Sequence, residues 1–170
     1  MLLMKRILSI IFLVFIFSSY AQANWEGSIE KNEFNGKTYK FINGSIIKPN
    51  IPLDYPFEKL NFKTGINCGS TVGFLFTDEV HLVDGRYLND KTTEFNFRIK
   101  HGEQLENIKV EQDFAYKDSL FISFADSSRV YNWFKNEETI VLELKHYRDG
   151  ARYYKIDTKG FKKVYNDTCL

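Results

Sequence analysis

At 170 residues, with 23 Lys and Arg against 22 Asp and Glu, the chain carries a formal charge of +1. Loss of a basic leader takes it to −1, so no global field of either sign draws it to nucleic acid or to an anionic membrane surface. The length accommodates one domain with a sizeable core and not two.

Residues 1–23 read as a secretory signal peptide. Lys5 and Arg6 form the positive start, Ile7 to Phe17 the apolar run, and Ala21-Gln22-Ala23 the small-residue cleavage pattern. Cleavage after Ala23 starts the mature chain at Asn24 and leaves 147 residues. The apolar run is shorter than the about 20 residues a spanning helix needs, so no membrane span is expected after cleavage. An uncleaved N-terminal anchor is the alternative. The mature part holds 13 Phe, 9 Tyr and 2 Trp, residue types that favour half-buried pleated surfaces.

Trp25 to Glu30 and Lys37 to Ile42 flank Asn35-Gly36, the sequence signature of a two-residue hairpin turn. From Gly44 to Pro56 three prolines, Pro49, Pro52 and Pro56, predict an irregular surface connection. "LNFKTGINC", Leu60 to Cys68, alternates with period two. "TVGFLFTDEVHLVDGRY", Thr71 to Tyr87, reads as a central strand followed by another after Asp78-Glu79. "TEFNFRIK" buries Phe95, Phe97 and Ile99 on one face and turns Asn96, Arg98 and Lys100 to the other. A turn at His101-Gly102-Glu103 leads to a weaker strand over Asn107 to Phe114 and a stronger one over Ser119 to Ala125.

The period then changes. Val130, Trp133 and Phe134 recur at helical spacing after the capping candidates Asp126, Ser127 and Ser128, predicting a helix over about Ser128 to Asn136. "TIVLELKHY" and "ARYYKI" form a hairpin around Arg148-Asp149-Gly150, and a last helical turn, Lys159 to Tyr165, has Thr158 as its cap. Seven to nine strands with one or two short helices predict a mainly β fold, a single antiparallel β-sandwich or partly closed barrel. A mixed α+β fold is the alternative. In this reading residues 24–59 are an N-terminal hairpin and Pro-containing connection, and residues 60–170 are the core.

The two cysteines, Cys68 and Cys169, allow one intramolecular pairing. An exported chain matures where thiols oxidise, so a disulfide follows if their Cα atoms approach within about 7 Å. Free thiols, or a redox or intermolecular role, are the alternatives; no C-x-x-C accompanies them.

A strand ending at a cysteine, "FNFRIK" with its arginine between apolar residues, the short helix before a hairpin in "SRVYNWFKNEETIVLELKHYRDG", and the closing "YYKIDTKGFKKVYNDTC" form a pattern. It resembles a diffuse group of small exported bacterial β-proteins, the invasion-associated locus B-like proteins and the TagO-like accessory proteins of type VI secretion. The resemblance spans Leu60 to Cys169. Ile156 stands where the group often has Phe, and Val164-Tyr165 where small residues are frequent. It implies a periplasmic or secreted protein of the cell envelope without catalysis, its partner an envelope protein or a small ligand. A type VI secretion accessory and a small secreted hydrolase are the alternative roles.

Candidate chemistry is sparse. His81, His101 and His146 lack the close spacing of zinc motifs, so no metal or other cofactor is expected. There is no G-x-S-x-G elbow, and no catalytic residue is assigned. Asp84, Glu94, Asp118 and Asp126 are the carboxylates a hydrolase would need to bring together. Arg98, if covered, needs a carboxylate such as Asp84 or Glu94; an exposed Arg on a wet face is the simpler expectation. Tyr147, Arg148, Arg152, Tyr153 and Tyr154 form a candidate ligand surface, since rings and guanidinium planes stack on ligands, although such residues are more often cross-strand pairs.

Overall fold

Apolar side chains at every second position can all reach one core only if the strands lie side by side with that face turned inward. A computed structural model describes residues 25–170 and shows that arrangement; the expected signal peptide, residues 1–23, lies outside the described residues. The strands are β1 (Trp25–Lys31), β2 (Thr38–Ile47), β3 (Phe62–Asn67), β4 (Thr71–Phe76), β5 (Arg86–Asn89), β6 (Thr92–His101), β7 (Gln104–Asp113), β8 (Ser119–Ile122), β9 (Thr139–His146) and β10 (Gly150–Asp157). Among the described residues the helices are α1 (Phe124–Asn136) and α2 (Phe161–Cys169).

All ten strands join one antiparallel sheet in the order β1-β2-β3-β4-β8-β7-β6-β9-β10, with β5 attached to β6. The fold is therefore mainly β, and of the two expected architectures it is the partly closed barrel. The sheet curls until the segment after β2 meets β10. Pro49 bridges Tyr154, and the Asn50 N–H donates to the Tyr153 carbonyl at 2.8 Å. The N-terminal hairpin is not a separate unit, since β2 pairs with β3 from Phe41 to Ile47 with a bulge between Asn43 and Ile46.

The concave face holds the core. Ile42, Phe62, Ile66, Phe74, Ile99, Ile108 and Leu142 point inward along successive strands and are fully or almost fully buried. α1 and α2 close one side through rings. Trp25 lies 5.6 Å from Phe134 of α1 and 4.9 Å from Phe161 of α2, and those two rings are 5.4 Å apart. α2 can approach β1 because residue 27 is glycine: a Cβ there would come within 1.9 Å of the Thr168 hydroxyl. Cys68, one residue past β3, and Cys169, the last residue of α2, sit at disulfide distance with their Cα atoms 5.4 Å apart.

The structure corrects several local expectations. Asn35-Gly36 does not make a two-residue turn. Gly36 alone has positive φ, and a longer loop forms with Asn32 accepting from the Gly36 N–H and donating to the Lys37 carbonyl. β2 continues through Gly44 to Ile47, because the prolines begin only after it. The run after Asp78-Glu79 forms no strand before Arg86; Leu82 makes a single bridge to His146. β8 stops at Ile122 and α1 starts at Phe124 with Ser123 as its N-cap residue.

Two of the capping candidates are used elsewhere. The Asp126 carboxylate accepts the Lys109 N–H at 2.8 Å, and the Ser127 hydroxyl donates to the Ser123 carbonyl at 3.0 Å. Burial alone would raise the Asp126 carboxyl; the Lys109 N–H, the paired Arg129 guanidinium and Ser123 together hold it below the usual range. At the last helix Gly160 is the N-cap, and the Thr158 hydroxyl donates instead to the Glu137 carbonyl.

Candidate functional site

Adjacent residues of a strand face opposite sides, and this divides the expected aromatic surface. Tyr153 is exposed, whereas Tyr154 is fully buried on the core face, its hydroxyl 2.8 Å from His146 Nε2. Arg152 folds back on the hairpin, donating to the Asp149 carbonyl and pairing with its carboxylate at 3.4 Å. Arg148 holds positive φ at the turn and lies over the Tyr147 ring at 5.5 Å. Tyr147, Arg148, Arg152, Tyr153 and Tyr154 therefore do not share one surface.

The His146–Tyr154 pair has a pH consequence. Burial pushes the His146 imidazole down to about 4 against the nearby Asp149 charge, and burial raises the Tyr154 phenol. In the folded chain the imidazole is neutral at pH 7, with Nε2 free to accept from the phenol. A folded value below the unfolded 6.5 means that the unfolded chain takes up the proton first. The contribution is full above pH 6.5 and is lost as pH falls through 4, about 3 kcal/mol in all. Denaturant titrations at pH 7 and 4 should show that much extra acid loss in the wild type over H146F/Y154F, which removes both partners. Equal losses in the two proteins would mean the imidazole is not held neutral.

The candidate ion pair at Arg98 also takes another form. β6 and β9 place Arg98 directly opposite Glu143, and the guanidinium Nη1 donates to Glu143 Oε2 at 3.1 Å. Glu94 is instead held by Arg86 at 3.0 Å and Lys109 at 3.4 Å, and Asp84 by Lys145 at 3.2 Å. The correction follows from register: Arg98 has Asn107 and Glu143 beside it, while Glu94 lies on the same strand four positions away. Arg98 is half exposed, so this pair adds little to stability. His101 lies at the far end of β6 against Trp133, bonded to Glu106 at 2.9 Å.

What the sheet does build is a cleft. One edge of β6 runs along β7 throughout, but the other is shared. Thr92 to Glu94 pair with β5 and Arg98 to His101 with β9, so among the described residues Phe95 to Phe97 have no strand beside them on that edge. The segment 77–85 crosses this gap and is pinned on both sides. The Tyr147 N–H donates to the His81 carbonyl at 2.9 Å, and the Val83 N–H to the Lys145 carbonyl at 3.0 Å. Opposite, the Val80 N–H donates to the Lys117 carbonyl at 3.1 Å. Gln112, buried on the core face of β7, donates through Nε2 to the Lys117 carbonyl at 2.8 Å and the Val80 carbonyl at 3.4 Å. One amide thus holds two loops in place.

Between these walls lies a cleft of about 590 Å³, within the usual range for small-molecule sites. Phe95 and Thr93 line its inner wall, with Tyr87, Phe114 and Tyr147 at the rim. Tyr87 and Phe114 pack edge to face at 5.8 Å, yet Tyr87 is 76% and Tyr147 55% exposed. Asp84 has φ 64°, and a Cβ on Gly85 would come within 2.6 Å of both Phe95 and Thr93, so the Asp84-Gly85 turn needs glycine at its second position.

Of the residues singled out from sequence, Tyr147, Asp84 and His81 meet at this cleft. Glu94 and Asp126 are engaged in their own ion pairs. Gln112, Tyr87, Phe114 and Gly85 were not anticipated. The signal for Gln112 was present, because its alternation with Ile108 and Val110 places an amide on the core face. Among the described residues no group of three or more His, Cys, Asp or Glu is placed to hold a metal ion, and no helix is long and apolar enough to cross a membrane. No protein-family model, curated protein or solved structure matches the chain.

Proposed function

We propose that this chain is an exported, non-catalytic binding or accessory protein of a bacterial cell envelope, with the cleft beneath segment 77–85 as its ligand site. The cleft carries the reading. It is preformed, its two walls are fixed by backbone hydrogen bonds and by Gln112, and its rim presents rings to solvent. Fixed walls let a ligand bind without ordering the loops first, which lowers the entropic cost of association.

Export is supported by the charged start, apolar run and Ala-Gln-Ala pattern of residues 1–23 and by the cysteine pair at disulfide distance, a bond that persists in oxidising compartments. Absence of catalysis is an inference from the resemblance noted above, and activity screening of the purified protein tests it. Expression in a Gram-negative host, followed by fractionation and intact mass measurement, should find the protein outside the cytoplasm beginning at Asn24. A cytoplasmic product retaining Met1 would refute export.

A further inference from the structure

We infer that the cleft takes an uncharged saccharide, an assignment that rests on reading the cleft as the ligand site. Three observations favour this chemistry. The charged groups around the cleft are already balanced: Lys117 lies 3.8 Å from Glu79, and Asp84 is 3.2 Å from Lys145. Each charge at the cleft thus has an opposite charge beside it, so the cleft presents little net field to attract a charged ligand, and an uncharged one leaves both pairs in place.

Second, the rim carries ring faces whose exposure nothing in the fold requires. Tyr87 stands largely in solvent on the short strand β5, and Tyr147, with Arg148 over one face of its ring, is half exposed at the same cleft. The C–H faces of a pyranose ring are apolar and stack on such surfaces, while the sugar hydroxyls remain free to hydrogen-bond. Third, the polar groups among the rings are of the kind hydroxyls can bond: the Thr93 hydroxyl, the two tyrosine hydroxyls and His81. A purely apolar ligand would desolvate these groups without giving them partners, which disfavours it.

Gln112 has a positioning role here. Its amide nitrogen bonds both loops beside the Val80–Lys117 backbone bond, so its loss loosens the walls without removing a stacking ring.

The mature protein is titrated calorimetrically with neutral hexose and N-acetylhexosamine trisaccharides, with trigalacturonate as the charged counterpart and with 1-naphthol as a neutral apolar probe. At least one neutral trisaccharide should bind, with affinity changing less than about twofold between about 50 mM and 0.5 M salt. Tyr87→Ala and Tyr147→Ala, both at exposed positions, should each weaken it about tenfold or more. Tighter, salt-sensitive binding of trigalacturonate would overturn the uncharged class. Naphthol binding that is lost in the tyrosine variants, with no saccharide bound, would overturn the saccharide and keep the cleft as a ligand site. No binding of any probe would overturn both.

Discussion

Replacing Cys169 by alanine, or reducing the Cys68–Cys169 pair, should lower the unfolding midpoint by about 10–20 °C. The bond spans 101 positions, and in the chain-entropy model a loop of that size is worth up to about 4.7 kcal/mol, acting through the unfolded chain. In the folded state it holds one particular piece. α2 has nine residues, too few to persist in isolation, and it begins at Phe161, whose ring closes the cluster with Trp25 and Phe134. Fixing its last residue beside the end of β3 prevents the terminal turn from fraying. That end of β3 is itself anchored, since the Tyr131 hydroxyl donates to the Asn67 carbonyl at 2.9 Å. Melting the wild type with and without reductant, beside Cys68→Ala/Cys169→Ala, checks the account. The double variant should match the reduced wild type, and oxidised and reduced midpoints that coincide would show the bond carries no stability.

The strands and the late helices could be read from sequence because they depend on local signals, and the cysteine pairing because the chain holds only two cysteines. Phe95, Phe97 and Ile99 alternate with polar residues, and the observed burial of β6 follows that alternation from Glu94 onward almost without exception. Period two also implied that Tyr153 and Tyr154 cannot share a face, so the grouping of both into one ligand surface was avoidable. The cleft was not readable, because it exists only through long-range register. Two different strands occupy one edge of β6, and nothing near Phe95 in the sequence states that β5 will claim three residues and β9 four.

Segment 77–85 misled for a related reason. Val80, Leu82 and Val83 are apolar like a strand, but they are spent bridging β9 and the loop before β8 rather than extending a ladder. Arg98 shows the same limit. Any carboxylate in the chain could have served as its partner; only the β6–β9 register selects Glu143.

Trp25→Ala should cost about 3–5 kcal/mol, the second large effect expected. The residue opens β1, directly opposite Gly44, and is 3% exposed. Its indole touches both helices and donates from Nε1 to the Asp157 carbonyl at 2.9 Å, so one side chain joins β1, β10, α1 and α2. Gly44 makes room for it, since a Cβ there would come within 3.2 Å of the indole. Trp25→Phe keeps most of the buried area and drops the donor, and should cost about 1–2 kcal/mol. Urea titrations of both variants and of Trp25→Ala/Cys169→Ala separate packing from covalent restraint. If the indole and the disulfide hold the same helix, the double variant departs from the sum of the singles by more than about 0.5 kcal/mol. Additivity within that margin would mean that α2 is held independently by each. A Trp25→Ala variant within about 1 kcal/mol of wild type would show that the three-ring cluster does not organise this end of the barrel.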